Sequence, residues 1–233
     1  MSQSFVIAPP PVTALTVDGS TDAFPVRRVF CVGKNYADHV REMGGDPKDT
    51  PPVFFTKPAD AAIPADDSGS HVIAYPPMTE DLHYEAELVV ALQSGGRDIA
   101  VADALGCVYG YGVGIDFTRR DIQRAMSKAG HPWDMAKGFD QSGIVGPIKP
   151  LPGQDYTEGR ISLSVDGETK QDAPLSDMIW KLPEIISTLS RFVALKPGDI
   201  IFTGTPAGVG PVVKGNRLNV SVDGLPSITL TIG

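Results

Sequence analysis

The sequence predicts an α+β, β-rich fold, mostly antiparallel and roll-like, with short helices at its periphery. Three observations carry this. Short runs of alternating apolar and polar residues recur between turn residues along most of the chain. The 25 glycines and 21 prolines are dispersed rather than pooled, which suits many tight turns and excludes a low-complexity tract. Strands and helices do not alternate regularly, which argues against a parallel βαβ sheet. No internal repeat or domain boundary interrupts the 233 residues, so residues 1–233 are expected to form one domain.

Residues 1–28 read as a proline-rich N-terminal extension with a turn at Asp18-Gly19-Ser20. "VRRVFCVG" (26–33) reads as a strand. "KNYADHVREMGG" reads as a loop entering a short helix that stops at Gly44-Gly45. "PPVFFTKP" (51–58) is a strand closed by Pro58, and the following "ADAAIPADDSGSHVIAYPP" reads as irregular. A strand over 82–93 ends at Ser94-Gly95-Gly96. In the second half of "ADALGCVYGYGVGIDFT" (102–118), glycines alternate with Tyr, Val and Ile. That pattern suits a strand whose glycine face is approached closely by other backbone. A helix over 118–130 is expected, with Thr118 and Asp121 as a capping box and Gly130 as its stop. Asp-Gly pairs inside 161–171 and 218–232 mark two hairpins. "LPEIISTLSRFVAL" (182–195) is a helix with Pro183 in its first turn, and "KPGD" leads from it into a strand over 200–205. The glycine-rich "PAGVG" that follows is not a phosphate loop, because it lacks the GK[ST] ending and precedes no helix.

Twenty basic against 28 acidic residues give a net charge of −8, which argues against nucleic-acid and anionic-membrane partners. Cys31 and Cys107 lie in apolar segments and read as buried thiols of a reducing compartment. No basic, then apolar, leader opens the sequence and no apolar run approaches a membrane span, so a cytoplasmic protein is expected.

"LHYEAELVV" (82–90) carries the chemistry. Strand side chains alternate, so Glu85 and Glu87 share one face of an otherwise apolar run. Like charges placed that way repel, and each carboxylate is costly to desolvate. Four readings stand open: a wet strand face, a proton-sharing dyad, pairing with Lys or Arg, or a hard divalent cation. Asp116, at the end of the glycine-rich strand, reads either as a turn residue or as a third carboxylate. Three converging carboxylates would favour Mg²⁺, which takes two or three such ligands and fills its remaining positions with water or substrate.

Six stretches go further: "VGKNYADHVREMG" (32–44), "PVFFTKP" (52–58), "LHYEAELVV" (82–90), "YGYGVGIDFTRRDIQ" (109–123), "GHPWDMAKGFDQSGIVGP" (130–147) and "GDIIFTGTPAGVGPV" (198–212). In this order and spacing the chain resembles the fumarylacetoacetate hydrolase family, in its shorter, single-domain branch of acylpyruvate hydrolases. The resemblance implies a mixed β-sandwich roll, a homodimer, and one Mg²⁺ or Mn²⁺ held by Glu85, Glu87 and Asp116. It implies that His39, oriented by Glu42, activates water, and that the segment 34–45 acts as a lid with Gly44-Gly45 as a hinge. On residues alone, His39 and Glu42 read equally as a weak pair on a solvated helix. Asp38 is a lesser candidate to orient His39. The resemblance makes Lys137 a stabiliser of negative charge. It places Arg120 and Gln123 near a substrate carboxylate, Thr205 near the substrate, and Lys57 in the site. Arg119 and Arg120 are adjacent in a helix, so one of them at most should face the metal. His83 shares the face of Glu85 and Glu87 and is a candidate neighbour.

The activity so implied is hydrolysis of the carbon–carbon bond of a small 1,3-diketo acid, fumarylpyruvate above all. Decarboxylation of oxaloacetate, or isomerisation and tautomerisation of a diketo acid, are the alternatives within the family.

Overall fold

The computed structural model describes residues 4–42, 44 and 51–233. Its centre is an eight-stranded mixed sheet. Along it run Val53–Lys57, Arg28–Gly33, Asp199–Phe202, Ala86–Leu92, Val108–Asp116, Gly143–Val145 and Ala62–Pro64, with Lys149–Pro150 pairing beside Val108–Asp116. Most neighbours are antiparallel. Asp199–Phe202 with Arg28–Gly33, and Gly143–Val145 with Ala62–Pro64, are parallel. A five-stranded sheet packs against this one, in the order Glu168–Pro174, Arg160–Val165, Arg217–Val222, Ile228–Ile232, His71–Ile73. A further sheet has three strands, in the order Thr118–Arg119, Leu82–Tyr84, Gly210–Val212. The N-terminal turn is a two-stranded hairpin, Ala14–Thr16 against Ala23–Pro25.

Both faces of the central sheet are buried, and the strand period sorts its residues between two cores. Leu88, Val90 and Leu92 join Val113, Ile115, Ile161, Leu163, Val220 and Leu230 between the two large sheets. Val89 and Ala91 join Cys31, Ile200, Phe202 and the hairpin residues Leu15 and Phe24 on the other side. Glu87 shares the face of Val89, so it projects from a sheet with no wet side. The glycine face of Val108–Asp116 is approached by backbone, as its pattern predicts: a Cβ on Gly110 would lie 2.1 Å from the Lys149 carbonyl oxygen.

Several elements differ from the sequence reading. The strand expected over 82–93 breaks at Glu85, its first part joining the three-stranded sheet and its second the eight-stranded one. The break turns the chain where a carboxylate needs partners from two sheets. The stretch after Pro58, read as irregular, contributes the strands Ala62–Pro64 and His71–Ile73. Residues 101–107 form a 3₁₀ turn, to which the sequence reading assigned no element, and the expected glycine-rich strand follows as Val108–Asp116. The capping box at Thr118 and Asp121 does not form. The helix is Arg120–Ala129, and both residues are engaged elsewhere: Thr118 bonds Glu85, and Asp121 accepts from Thr79 Oγ1 and the Glu80 amide. Gly130 does end that helix, in the left-handed region at φ 68°. The Leu182–Phe192 helix has Pro183 in its first turn, as expected. Asp166-Gly167 turns one hairpin with both residues at positive φ, whereas the hairpin at Asp223-Gly224 closes through a longer loop.

Candidate active site

Glu85, Glu87 and Asp116 come together at one end of the central sheet. Glu87 pairs in register with Gly114, and the Asp116 amide donates to the Glu85 carbonyl at 2.8 Å. One carboxylate oxygen from each lies within 4.8 Å of the others, and all three residues are buried.

Three buried cations surround them. Lys137 Nζ lies 2.8 Å from Glu85 Oε2 and 2.8 Å from Asp116 Oδ2. Lys57 Nζ lies 2.7 Å from Asp116 Oδ1 and also donates to the Lys137 carbonyl. Arg120 Nη2 donates to Glu85 Oε1 at 2.5 Å, where Thr118 Oγ1 donates too, at 3.0 Å. Arg120 Nη1 meets Gln123 Oε1 at 2.5 Å. Arg119 turns away, its guanidinium 4.4 Å from the centre of the Phe139 ring. One arginine faces the site, as expected, but because Arg119 ends the strand Thr118–Arg119 and only Arg120 belongs to the helix, not because both lie on one helix.

The partners are unevenly shared. Burial alone would push the Glu85 carboxyl up, but Lys137 and then Arg120 hold it well below the usual carboxylate range. Burial would likewise lower the Lys137 ammonium, yet Asp116 and Glu85 raise it. Glu87 receives only the Gly204 amide, at 2.6 Å on Oε2. Among the described residues no Lys, Arg or His nitrogen lies within ion-pair distance of it. Burial first, then Asp116 and Glu85, push its carboxyl well above the ordinary value. An all-oxygen donor set with one uncompensated buried carboxylate fits a hard divalent cation. A cation would supply the charge that Glu87 lacks.

The cleft above the triad has a volume of about 340 Å³, and His39, Arg120, Gln123, Lys137 and Thr205 reach it. His39 lies on the short Ala37–Glu42 helix and is buried. Its Nδ1 is 3.2 Å from Glu42 Oε2, and the Gly208 amide donates to Glu42 at 3.3 Å. The glycine-rich loop thus braces the carboxylate that faces the histidine. Gly208 has φ +94°, and a Cβ there would sit 2.1 Å from the Lys170 carbonyl oxygen, so only glycine fits. Asp38 pairs with Arg41 instead of His39. His83 is a neighbour at one remove: its Nδ1 accepts from Arg120 Nε at 3.3 Å, and its Nε2 meets Asp81 at 2.8 Å. Gly45, half of the expected hinge, lies outside the described residues.

Sequence reasoning missed Gln171. It is buried, donates to Thr205 Oγ1 at 2.8 Å and to the Pro206 carbonyl at 2.9 Å, and accepts from the Ala86 amide at 2.9 Å. A glutamine in a solvated hairpin carries no local signal of this. Asn35 was also missed; it ties the loop before the helix to Trp180 and Thr203.

A β-rich roll with three buried carboxylates opening on a cation-lined cleft defines a divalent-metal enzyme. Comparison with known proteins narrows the class. The model of the fumarylacetoacetate (FAA) hydrolase C-terminal family matches residues 28–233. A fumarylpyruvate hydrolase of a Ralstonia species is 41% identical over 180 residues, 77% of this chain and 92% of the relative. The oxaloacetate tautomerase YcgM of Escherichia coli (strain K12) is 39% identical over 205 residues, 86% of this chain and 90% of the relative. The crystal structure of fumarylpyruvate hydrolase from Pseudomonas aeruginosa, in complex with Mn²⁺ and pyruvate, superposes with a TM-score of 0.96 at 46% identity. That match covers 98% of this chain and 99% of the other. The chain belongs to the fumarylacetoacetate hydrolase family.

Proposed function

We propose that this chain hydrolyses the carbon–carbon bond of a 1,3-diketo acid, with fumarylpyruvate as substrate and fumarate and pyruvate as products. The observation that carries the reading is His39, oriented by Glu42 and opening on the same cleft as Glu85 and Glu87 of the triad. The similarity to the Ralstonia and Pseudomonas aeruginosa fumarylpyruvate hydrolases supports the choice of acyl group.

Glu85, Glu87 and Asp116 would hold Mg²⁺ or Mn²⁺, which supplies Lewis acidity toward the 2-oxo acid end of the substrate. The remaining work falls to side chains of the chain itself. Glu42 accepts the Nδ1 proton of His39 and so leaves Nε2 as the base. His39 Nε2 takes a proton from water, and the hydroxide adds to the distal ketone. Lys137 uses two N–H groups on Glu85 and Asp116 and has a third for the tetrahedral oxyanion. Collapse of that oxyanion breaks the carbon–carbon bond and releases pyruvate as its enolate, which takes up a proton. Arg120 and Gln123 face the pyruvyl carboxylate, and Thr205, set by Gln171, faces the substrate. Lys57 holds Asp116 in place. In this reading the chain is one catalytic domain with a lid at 34–45, works as a homodimer in the cytoplasm and serves aromatic catabolism.

A second reading follows from the Escherichia coli relative: tautomerisation of oxaloacetate, which needs proton transfer alone. Purified protein with Mg²⁺ or Mn²⁺ and fumarylpyruvate separates the two. Loss of diketo-acid absorbance with equal yields of fumarate and pyruvate supports hydrolysis. Catalysed exchange between keto and enol forms without cleavage overturns it in favour of the second reading.

A further inference from the structure

The three cations around the triad are engaged with Glu85 and Asp116. Two more basic residues, Lys34 and Arg124, line the same cleft. Lys34 is exposed and stands in the left-handed region at φ 63°, a conformation that costs a non-glycine residue roughly 1 kcal/mol. Its neighbours hold it there. The Asn35 side chain donates to the Thr203 and Trp180 carbonyls at 2.7 and 3.1 Å, and the Ile179 amide donates to the Asn35 carbonyl at 2.7 Å. Arg124 lies one helical turn beyond Arg120, about 6 Å along the axis. Its Nη1 meets Asp81 Oδ2 at 3.0 Å, and Asp81 is anchored in turn on His83. Two aromatic rings line the cleft as well, and the Phe55 ring centre lies 5.1 Å from Lys137 Nζ. Phe55 and Trp133 meet edge-on with centroids 5.9 Å apart, and the indole N–H donates to Ser127 Oγ at 2.9 Å, which fixes the ring.

We propose that Lys34 and Arg124, beside the Phe55–Trp133 wall, form a second carboxylate subsite that selects acylpyruvates whose acyl arm is flat and ends in a negative charge. The proposal rests on the hydrolase reading and assigns the end of the substrate which that reading leaves unbound. A seven-carbon diacid spans about 7 Å between its carboxyl carbons, close to the one-turn offset between Arg120 and Arg124. Aromatic faces suit a conjugated, planar arm, and the cations suit its terminal carboxylate.

The test is the ratio of kcat/KM on fumarylpyruvate to kcat/KM on acetylpyruvate, whose acyl arm is a bare methyl. It is measured for the wild type, for Lys34→Gly and for the Lys34→Gly/Arg124→Gln double variant. Glycine keeps the left-handed backbone at position 34 while removing the ammonium. The expected result is a ratio about tenfold lower in Lys34→Gly and lower again in the double variant. The wild-type preference should also weaken as salt is added. A double variant whose ratio stays within about twofold of wild type overturns the subsite while leaving the hydrolase reading standing. A wild-type enzyme that cleaves acetylpyruvate but not fumarylpyruvate overturns the subsite and the choice of acyl group, and leaves hydrolysis of a 1,3-diketo acid standing. A wild-type enzyme that cleaves neither overturns the hydrolase reading, and the subsite falls with it.

Discussion

Glu85 and Glu87 are two residues apart, are both buried and point into one site, yet replacing each by glutamine should have very unequal consequences without metal. Glu85 is held by Lys137 Nζ at 2.8 Å and Arg120 Nη2 at 2.5 Å. At an effective dielectric of about 20, the first contact alone is worth about 6 kcal/mol of Coulomb attraction before desolvation is subtracted. Neutralising one partner of a buried pair leaves cations stranded and costs about 3–5 kcal/mol. Glu87 has an amide N–H and no cation, so Glu87→Gln keeps its acceptor oxygen and removes a carboxyl that burial already disfavours as an anion. Its effect on the metal-free protein should stay within about 1 kcal/mol.

Metal reverses the comparison for Glu87. Wild type at a free metal concentration 100 times Kd gains about 2.7 kcal/mol, which moves Tm by roughly 5–11 °C for a chain of this size. Glu87→Gln should lose most of that gain. The assay is thermal or urea unfolding of chelator-treated protein, with and without Mn²⁺ or Mg²⁺. The folded-state pKa of Glu87 is raised above its ordinary 4.5, so the folded protein binds the extra proton. Metal-free wild type should therefore lose stability as pH rises from about 4.5 toward the raised value, and Glu87→Gln should lack that slope. If Glu87→Gln destabilised the metal-free protein as much as Glu85→Gln, or kept the full metal-induced shift, the division of charge described above would be wrong.

Three further outcomes are expected. His39→Ala should keep the metal-induced rise in Tm and lose about 10²–10⁴ in kcat, which calorimetry and a product assay on the same sample would check. Gly208→Ala should lower activity and also destabilise, because its Cβ meets the Lys170 carbonyl at 2.1 Å and its amide braces Glu42; overpacking of this kind costs about 1–3 kcal/mol, readable in a urea titration. Gln171→Leu should strand the Ala86 amide and free the Thr205 hydroxyl, costing about 1–3 kcal/mol and raising KM more than it lowers kcat.

What could be read from the sequence was whatever depends on neighbours in the chain. The shared face of Glu85 and Glu87 follows from the strand period, the close approach at Gly110 from an alternating glycine pattern, and the stop at Gly130 from helix-end chemistry. The capping box at Thr118 failed for a non-local reason. Asp121 is drawn to Thr79 and Glu80, and Thr118 to Glu85, partners some forty and thirty residues away along the chain. The break at Glu85 is of the same kind, because it exists to serve two sheets whose pairing no window of sequence contains. Gln171 looks like any polar hairpin residue until strand pairing carries it under Ala86 and Thr205.

The same distinction explains how the site is assembled. Each carboxylate comes from the central sheet or the break at its edge, where register fixes position. The groups that tune them come from elements whose location only the whole fold decides: Lys57 from the edge strand Val53–Lys57, Lys137 from the short Asp134–Lys137 helix, Arg120 from the first turn of Arg120–Ala129. Two carboxylates, Glu85 and Asp116, are charge-paired in advance. The third waits on an amide alone, so the affinity for a cation is concentrated at Glu87. His39 enters from a helix outside the sheet and is held by Glu42 and the Gly208 loop. The proposed base is therefore placed by contacts independent of those that place the proposed metal ligands, and substitutions at Glu87 and at His39 should separate binding from turnover rather than damage both together.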